Sequence, residues 1–270
     1  MSRRFFSETN IDSLLEARSQ SIDEIARVNY RTINHAYKSD RGKEHGHHGF
    51  SRRLRTISRA IERIFEFVPP GIDRLPDREE RIDAEAFLQA LIVAAYGAAD
   101  NLAAMWVYET GLLKPDGRPL PETWIGLRPN NTAVRASLPE ETQKKIRTFD
   151  EWFLHIEDYR HALAHRIPFY IPPYNVSDDD AAEYNILEQQ KFELIKSGKF
   201  DTLDEIEARQ KSMEFFQPLI VHSWGERSTP VVFHPMAIVA ARTVCEMGSM
   251  ILDALDRRYQ SASATSASGS

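Results

Sequence analysis

Residues 83–110 form a long apolar stretch without proline, and this stretch most constrains how the chain can fold. Its apolar side chains cover most of a helix circumference rather than one stripe: Phe87, Leu88, Ala90, Leu91, Ala94, Ala95, Ala98, Leu102, Met105 and Trp106. A helix of this kind needs neighbours on several sides. The sequence therefore predicts a central helix, with Asp83 as its N-cap and Gly111 directly after its end.

Apolar residues recur at helical spacing in several other segments. The predicted helices are 9–37, 51–67, 139–147, one from about 148 to before Pro168, 179–197, 203–214 and 235–257. Thr148 with Glu151, and Thr202 with Glu205, have the spacing of a capping box. The segments 38–49, rich in glycine, and 112–136, rich in proline, are predicted connections.

These elements predict an all-α fold, a helical bundle with a small C-terminal β-hairpin insertion. The hairpin strands are predicted at 217–224 and 230–233. Residues 1–70 are predicted to be an N-terminal helical extension, and 71–258 the main helical domain with an insert at about 175–233. Residues 259–270, composed largely of Ser and Ala, are predicted to be a disordered tail.

The net charge of −6 argues against a protein that coats long nucleic acids, because such binding depends on a basic excess. Any nucleic-acid contact should be local and made by a few Arg and His residues. The single cysteine, Cys245, is predicted to be a buried apolar residue, which suits a reducing compartment. No stretch reaches about 18 consecutive apolar residues, and the N-terminus lacks a signal-peptide pattern, so we expect a cytoplasmic protein without a membrane partner.

Functional groups are densest near the end of the helix that stops before Pro168. His161 and His165 are four residues apart and should share a helix face, with Glu157 one turn earlier. Arg160 and His165 are five residues apart, which places them roughly 140° apart around a helix. They can act on one ligand only if the helix ends between them or if a second copy of the chain completes the site.

Arg160 and His165, with four residues between them, resemble the Arg-x4–6-His signature of HEPN domains (higher eukaryotes and prokaryotes nucleotide-binding). His161 falls where that family often has Asn, Asp or His. The upstream helix, with Asp100 and Asn101, is similar to the family's other core helix. The resemblance covers about residues 83–175, and the last helix would complete the bundle.

The resemblance implies a HEPN-like bundle that forms a homodimer, with two copies of the motif facing one cleft. Many HEPN proteins are metal-independent endoribonucleases that need no cofactor, and some act as toxins or defence effectors. In such a site His165 would act as general base or acid and Arg160 would hold the phosphate. His161 would be a supporting donor, and Asp100 would orient Arg160 across the two helices. The expected partners are RNA, a second copy and an antitoxin-type protein.

The remaining polar neighbours, Asn101, Glu157 and Asp158, are expected to support the site through local electrostatics. Three alternatives stay open. The chain is a catalytically silent HEPN-like dimerisation or binding module, or the charged residues form only a solvated helix face, or Glu157, His161 and His165 bind a metal. Burial of the His165 ring under residues 167–174 would argue against the ribonuclease.

Three histidines, His45, His47 and His48, lie in the glycine-rich segment 38–49. A metal or phosphate site is one interpretation of them. The prediction is instead a mobile surface loop, because the glycines do not match a phosphate-binding loop with a following Gly-Lys-Ser/Thr.

Overall fold

The computed structural model describes residues 4–200, 202–222 and 229–268, with only the backbone for 262–268. Helix accounts for 72% of the chain and strand for 5%, which confirms the predicted all-α fold with a small β insertion. The α-helices are α1 (Glu8–Asn34), α2 (Asp40–Glu44), α3 (Ser51–Phe67), α4 (Arg78–Thr110), α5 (Thr132–Ser137), α6 (Glu140–Arg147), α7 (Asp150–His165), α8 (Asp178–Ser197), α9 (Leu203–Met213) and α10 (Phe233–Ser268). A π-helix, His45–Phe50, joins α2 to α3, and a 3-10 helix spans Glu122–Trp124.

The central helix α4 begins earlier than the sequence suggests. Its N-cap is Asp77, whose carboxylate accepts a hydrogen bond from the Glu80 backbone N–H at 2.8 Å. Glu80 returns the contact by accepting from the Asp77 N–H at 2.9 Å. This reciprocal capping box satisfies two backbone donors at the helix start, so the prediction of Asp83 as N-cap is wrong. Gly111 ends the helix at φ +65°, as predicted.

The core packs α3, α7 and α10 around α4, and α1 packs against α3 and α10. Fully buried side chains from three of these helices meet there: Leu88, Leu91 and Leu102 of α4, Leu54, Ile57 and Ile61 of α3, and Val244, Ile251 and Leu255 of α10. Since α3 supplies a complete buried face, residues 1–70 share the core with the rest of the chain. Cys245 is buried in the same cluster.

Two helices, α4 and the part of α10 over Phe233–Ser261, are long and apolar enough to cross a membrane by length and composition alone. Their most apolar windows are 72% and 67% buried inside the protein. Core helices of soluble proteins pass the same test, so this is weak evidence for a membrane span.

The prediction of a loop over 38–49 is wrong, because α2 and the π-helix occupy it. The glycines there allow other side chains to approach the backbone closely and do not form turns. Among the described residues, positive φ is found only at other glycines. A Cβ on Gly46 would lie 2.0 Å from the Tyr37 hydroxyl oxygen, and a Cβ on Gly49 would lie 2.5 Å from Asn101 Nδ2. The chain therefore winds tightly against its neighbours at these positions.

The extent of α7 agrees with the prediction that the helix ends before Pro168. Its predicted capping box is wrong: the residue before the helix is Phe149, which has no capping side chain. Thr148 instead closes α6 by donating its hydroxyl to the Lys145 carbonyl at 2.8 Å. Thr202 likewise precedes α9 without a side-chain cap. Pro139 precedes α6 as predicted.

The insert consists of two small antiparallel sheets and two helices. The predicted hairpin is present as β3 (Leu219–Ile220) paired with β4 (Val231–Val232), and the connecting residues 223–228 lie outside the described part. A second sheet, which the sequence does not predict, pairs β1 (Asn175–Val176) with β2 (Glu214–Phe215) and so closes the base of the α8–α9 hairpin.

The end of α10 differs from the expectation of a disordered tail from residue 259. The helical backbone continues to Ser268, and residues 269–270 lie outside the described part. Tyr259 still packs against the core and donates its hydroxyl to the buried Glu109 carboxylate. A helix that is anchored at this point extends by adding one hydrogen bond per residue.

Glu109 is the polar anchor between the ends of α1, α4 and α10. It is 8% exposed and accepts hydrogen bonds from the backbone N–H groups of Lys38 and Ser39 at 2.8 and 3.0 Å, besides the one from Tyr259. Removing the acceptor would deprive the part-buried backbone N–H groups of Lys38 and Ser39 of this partner. Glu109→Ala should therefore lower the free energy of unfolding by about 2–3 kcal/mol. Chemical denaturation measures this, with exposed Glu140→Ala as control. A loss below about 0.5 kcal/mol would contradict the anchor role.

Candidate functional site

The end of α7 lies against the middle of α4. Tyr96 and Asp100 are four residues apart on α4 and share the face that meets α7. The Arg160 guanidinium carbon lies 5.4 Å from the centre of the Tyr96 ring, within cation–π range. Arg160 is also near enough to Asp100 for its positive charge to oppose protonation of that carboxyl. The structure thus brings Arg160 and Asp100 together across the two helices.

Arg128 also belongs to this cluster, although no sequence pattern selects it. It lies in the proline-rich connection between α4 and α5, in a segment held in place by the Arg135–Asp150 ion pair at 2.6 Å. Its guanidinium approaches Glu157 at 3.4 Å and Asp100 at 3.8 Å, and its carbon lies 5.1 Å from the Tyr96 ring centre. No local pattern marks Arg128, because only the tertiary fold carries it there.

Glu157 connects Arg128 to His161. Its Oε1 accepts a hydrogen bond from the Tyr96 hydroxyl at 3.4 Å and lies 3.8 Å from His161 Nε2, one turn further along α7. Asp158 points elsewhere and pairs with Arg166 at 2.5 Å. Of the two acidic residues, Glu157 is therefore the one that joins the cluster, and Asp158 orders the end of the helix.

His161 and His165 are exposed, with ring centres 6.1 Å apart. They line an open depression of about 570 Å³ with Leu154, Glu157, Asp158 and Arg166. The segment that follows α7 does not cover His165, because its buried residues, Phe169 and Ile171, face the core. Glu85 on α4 helps to hold that segment by accepting a hydrogen bond from the Ile171 N–H at 2.8 Å. Both imidazoles are therefore accessible from solvent.

Arg160 and His165 do not line the same depression within one chain. The helix continues through both residues, so the condition that it end between them is not met. Arg160 is half-buried against α4, whereas His165 projects from the last turn toward solvent. Glu157 lines the depression and also contacts Tyr96 and Arg128, so it lies between the two surfaces. A site that uses Arg160 and His165 together requires a second copy of the chain.

Asn101 faces a different element from Asp100, although the two are adjacent. Its Oδ1 accepts a hydrogen bond from Arg53 Nε of α3 at 2.8 Å, and its Nδ2 lies 3.3 Å from His45 Nδ1 of the π-helix. Gly97, one turn before Asn101, makes this arrangement possible, since a Cβ there would lie 2.3 Å from the Arg53 guanidinium carbon. The structure therefore assigns Asn101 to a cluster with Arg53, not to one with Arg160.

Among the described side chains, no three His, Cys, Asp or Glu residues form a group that could hold a metal ion. The metal-binding interpretation of Glu157, His161 and His165 gains no support from their positions. Comparison of the chain with protein-family models, with curated proteins and with solved structures finds no match. The interpretation of the site therefore depends on its own residues and geometry.

The pKa of Asp100 depends on the burial of its carboxyl and on the charges of its neighbours in this cluster. Burial raises it from 3.8 to about 6, the positive charges of Arg53 and Arg160 oppose the rise, and the carboxylate of Glu157 adds to it. Arg128 faces the same carboxyl at 3.8 Å. Because the folded pKa lies above the ordinary value, protonated Asp100 favours the folded state. That contribution is complete below pH about 4 and is lost as the pH rises through about 6.

Substitutions on α7 should shift the pKa of Asp100 in opposite directions. Arg160→Ala removes a nearby positive charge and should raise it further, whereas Glu157→Gln removes a negative charge and should lower it. A carboxyl-carbon NMR titration of Asp100 between pH 4 and about 8 measures both shifts. Arg59→Ala, at an exposed position on α3, is the control and should cause none. Shifts of the same sign from both α7 variants would contradict the arrangement.

Proposed function

We propose that this chain is a metal-independent endoribonuclease of the HEPN type, which cleaves RNA by attack of a ribose 2′-OH on the adjacent phosphorus. One observation carries the proposal: Arg160 is held at the α4–α7 contact beside Tyr96 and Asp100, while His161 and His165 stand open to solvent on the next turn. A fixed guanidinium beside accessible imidazoles suits transfer of a phosphoryl group without a metal.

The reaction needs a base, an acid and a group that stabilises negative charge. His165 removes the proton from the 2′-OH, and the resulting oxygen attacks phosphorus. The 5′-oxygen of the next nucleotide leaves with a proton supplied by an imidazolium, giving a 2′,3′-cyclic phosphate and a 5′-OH end. Arg160 stabilises the charge on the phosphoryl oxygens through its fork of donors. His161, next to Glu157, donates a hydrogen bond to the phosphate.

The catalytic unit in this proposal is a homodimer. Arg160 and His165 of one chain face different surfaces, so a two-fold pair would bring Arg160 of one protomer to His165 of its partner. A two-fold interface repeats each contact, and it would therefore form two equivalent composite sites. Such an enzyme would act in the cytoplasm as a toxin or defence effector, and an antitoxin-type protein would be its natural partner.

A second candidate function is a catalytically silent HEPN-like module that acts by dimerisation or binding. The observation that favours it is the environment of Arg160, which points toward α4 and away from the open depression. Exposed apolar side chains on the insert, Ile186, Phe192 and Ile195 of α8, add surface that a binding protein would cover. The experiments below separate the two candidates.

Purified protein should cleave mixed RNA in the presence of EDTA, and His165→Ala should slow cleavage about 100-fold or more, because a general base is lost. His155→Ala is the matched control: it removes another exposed imidazole from α7 that packs on Tyr159 at 5.0 Å, and its rate should stay close to wild type. Products should carry 2′,3′-cyclic phosphate, and 2′-deoxy substitution before the scissile phosphate should block cleavage. Intact RNA with the wild-type protein would leave the silent module as the function.

The shared site can be tested with a mixed dimer. A heterodimer of Arg160→Ala and His165→Ala chains, purified with two tags, would retain one intact composite site, with both residues supplied across the interface. Its rate should be about half that of the wild-type dimer. Each variant alone should be inactive. A heterodimer no more active than either homodimer would contradict the exchange of these residues between protomers.

A further inference from the structure

A second cleft lies on a neighbouring face of α4, next to the face that meets Arg160. It has a volume of about 760 Å³, which is within the range of small-molecule sites. Its walls come from α2, the π-helix, α3 and α4. One wall is basic, and the opposite wall, on α4, is apolar.

The basic wall carries more positive charge than its own carboxylates neutralise. Arg41, Arg52 and Arg53 face only Glu44 among the lining residues. In the described part of the chain none of these three guanidinium groups lies within 4 Å of a carboxylate oxygen. Arg52 contacts His48 at 3.1 Å, Arg53 contacts Asn101, and Arg41 lies over the Tyr108 ring. The cleft thus concentrates positive charge in a protein whose net charge is −6.

The hydrogen-bond network determines which ring nitrogen accepts in both histidines of the cleft. Because Asn101 Oδ1 accepts from Arg53, its Nδ2 donates to His45, and His45 Nδ1 is therefore the acceptor. In the same way, His48 Nδ1 accepts from Arg52. Each neutral imidazole then carries its proton on Nε2. The cleft therefore presents N–H donors from two histidines and three arginines, which is the chemistry that binds an anion.

These groups are held in place before any ligand arrives. The Tyr108 ring stacks on His45 at 5.4 Å between ring centres, and the Arg41 guanidinium carbon lies 4.3 Å from the same ring. Arg53 lies across Gly97 and is fixed at both ends, by Asn101 and by the Val93 carbonyl at 3.4 Å. Burial lowers the pKa of His45, with Arg41 adding to the effect, so its neutral form is favoured. A preorganised site loses less entropy when it binds.

We propose that this cleft binds a small organic phosphate, with the phosphoryl group held by Arg41, Arg53 and His45 and the organic part against Ala90, Val93 and Ala94. Arginine forks match phosphate oxygens, and the apolar wall of α4 gives the remainder of the ligand a surface to cover. The binding needs neither Arg160 nor His165, so it stands apart from the ribonuclease proposal. Because the charge of Arg53 lowers the pKa of Asp100, binding of the ligand would also raise the pKa of Asp100 in the Arg160 cluster.

Calorimetry with AMP, inorganic phosphate and adenosine tests the proposal. AMP should bind saturably and more tightly than inorganic phosphate, and adenosine should not bind detectably. Arg53→Gln and Arg41→Gln should each weaken AMP binding about tenfold, because each removes a charged donor. Arg55→Gln is the matched control, since Arg55 is an exposed arginine of α3 outside the cleft, and it should leave affinity within about twofold.

An NMR titration gives an independent readout. AMP brings negative charge to Arg53, so AMP at a concentration that saturates the wild type should raise the pKa of Asp100 there and raise it less in Arg53→Gln, which binds AMP more weakly. Absence of saturable AMP binding would overturn the proposal, as would an equal loss of affinity in Arg55→Gln, which would indicate non-specific attraction. Inorganic phosphate binding as tightly as AMP would overturn the assignment of an organic ligand. RNA cleavage without AMP binding would leave the ribonuclease proposal intact and end this one.

Discussion

The enclosure of α4 by α3, α7, α10 and the π-helix obliges its buried and half-buried polar side chains to find partners from other elements, because an unpaired polar group in a protein interior costs free energy. Glu109 accepts hydrogen bonds from two backbone N–H groups after α1 and from the hydroxyl of Tyr259 in α10. Asn101 forms hydrogen bonds with Arg53 of α3 and His45 of the π-helix. Asp100 faces Arg128 and Arg160. The polar interruptions of this one apolar helix therefore position the elements around it.

The sequence predicts those parts of the structure that depend on local periodicity. The bounds of α3, the end of α7 and the apolar character of α4 follow from the spacing of apolar residues, and all three are confirmed. The helix caps and the segment 38–49 are where prediction fails. Thr148 has the spacing of an N-cap but closes the preceding helix. The glycines of 38–49 suggest a loop, yet they allow Tyr37 and Asn101 to approach a tightly wound backbone. Glycine is used both in turns and where another group must approach the backbone closely. The sequence does not tell these two uses apart, whereas the fold does.

The candidate site likewise contains residues that local spacing predicts and residues that it does not. His161, His165 and Glu157 could be placed on one face from their spacing alone, and the structure gathers them around one depression. Arg53 and Arg128 could not be predicted, because they lie far from Asp100 in sequence and approach it from separate elements. Asn101 was grouped with Asp100 through adjacency. Consecutive residues on a helix point about 100° apart, so the two amino acids serve different clusters.

This separation gives α4 two polar faces that lie about 100° apart around the helix axis. Tyr96 and Asp100 meet α7, while Gly97 and Asn101 meet α3 and the π-helix. Arg53 lies near both faces, since it hydrogen-bonds Asn101 and acts electrostatically on Asp100. An anion that reduced the charge of Arg53 would make Asp100 easier to protonate, and a neutral Asp100 would hold Arg160 less strongly. The coupling is reciprocal, because each site changes the free energy of the same carboxyl.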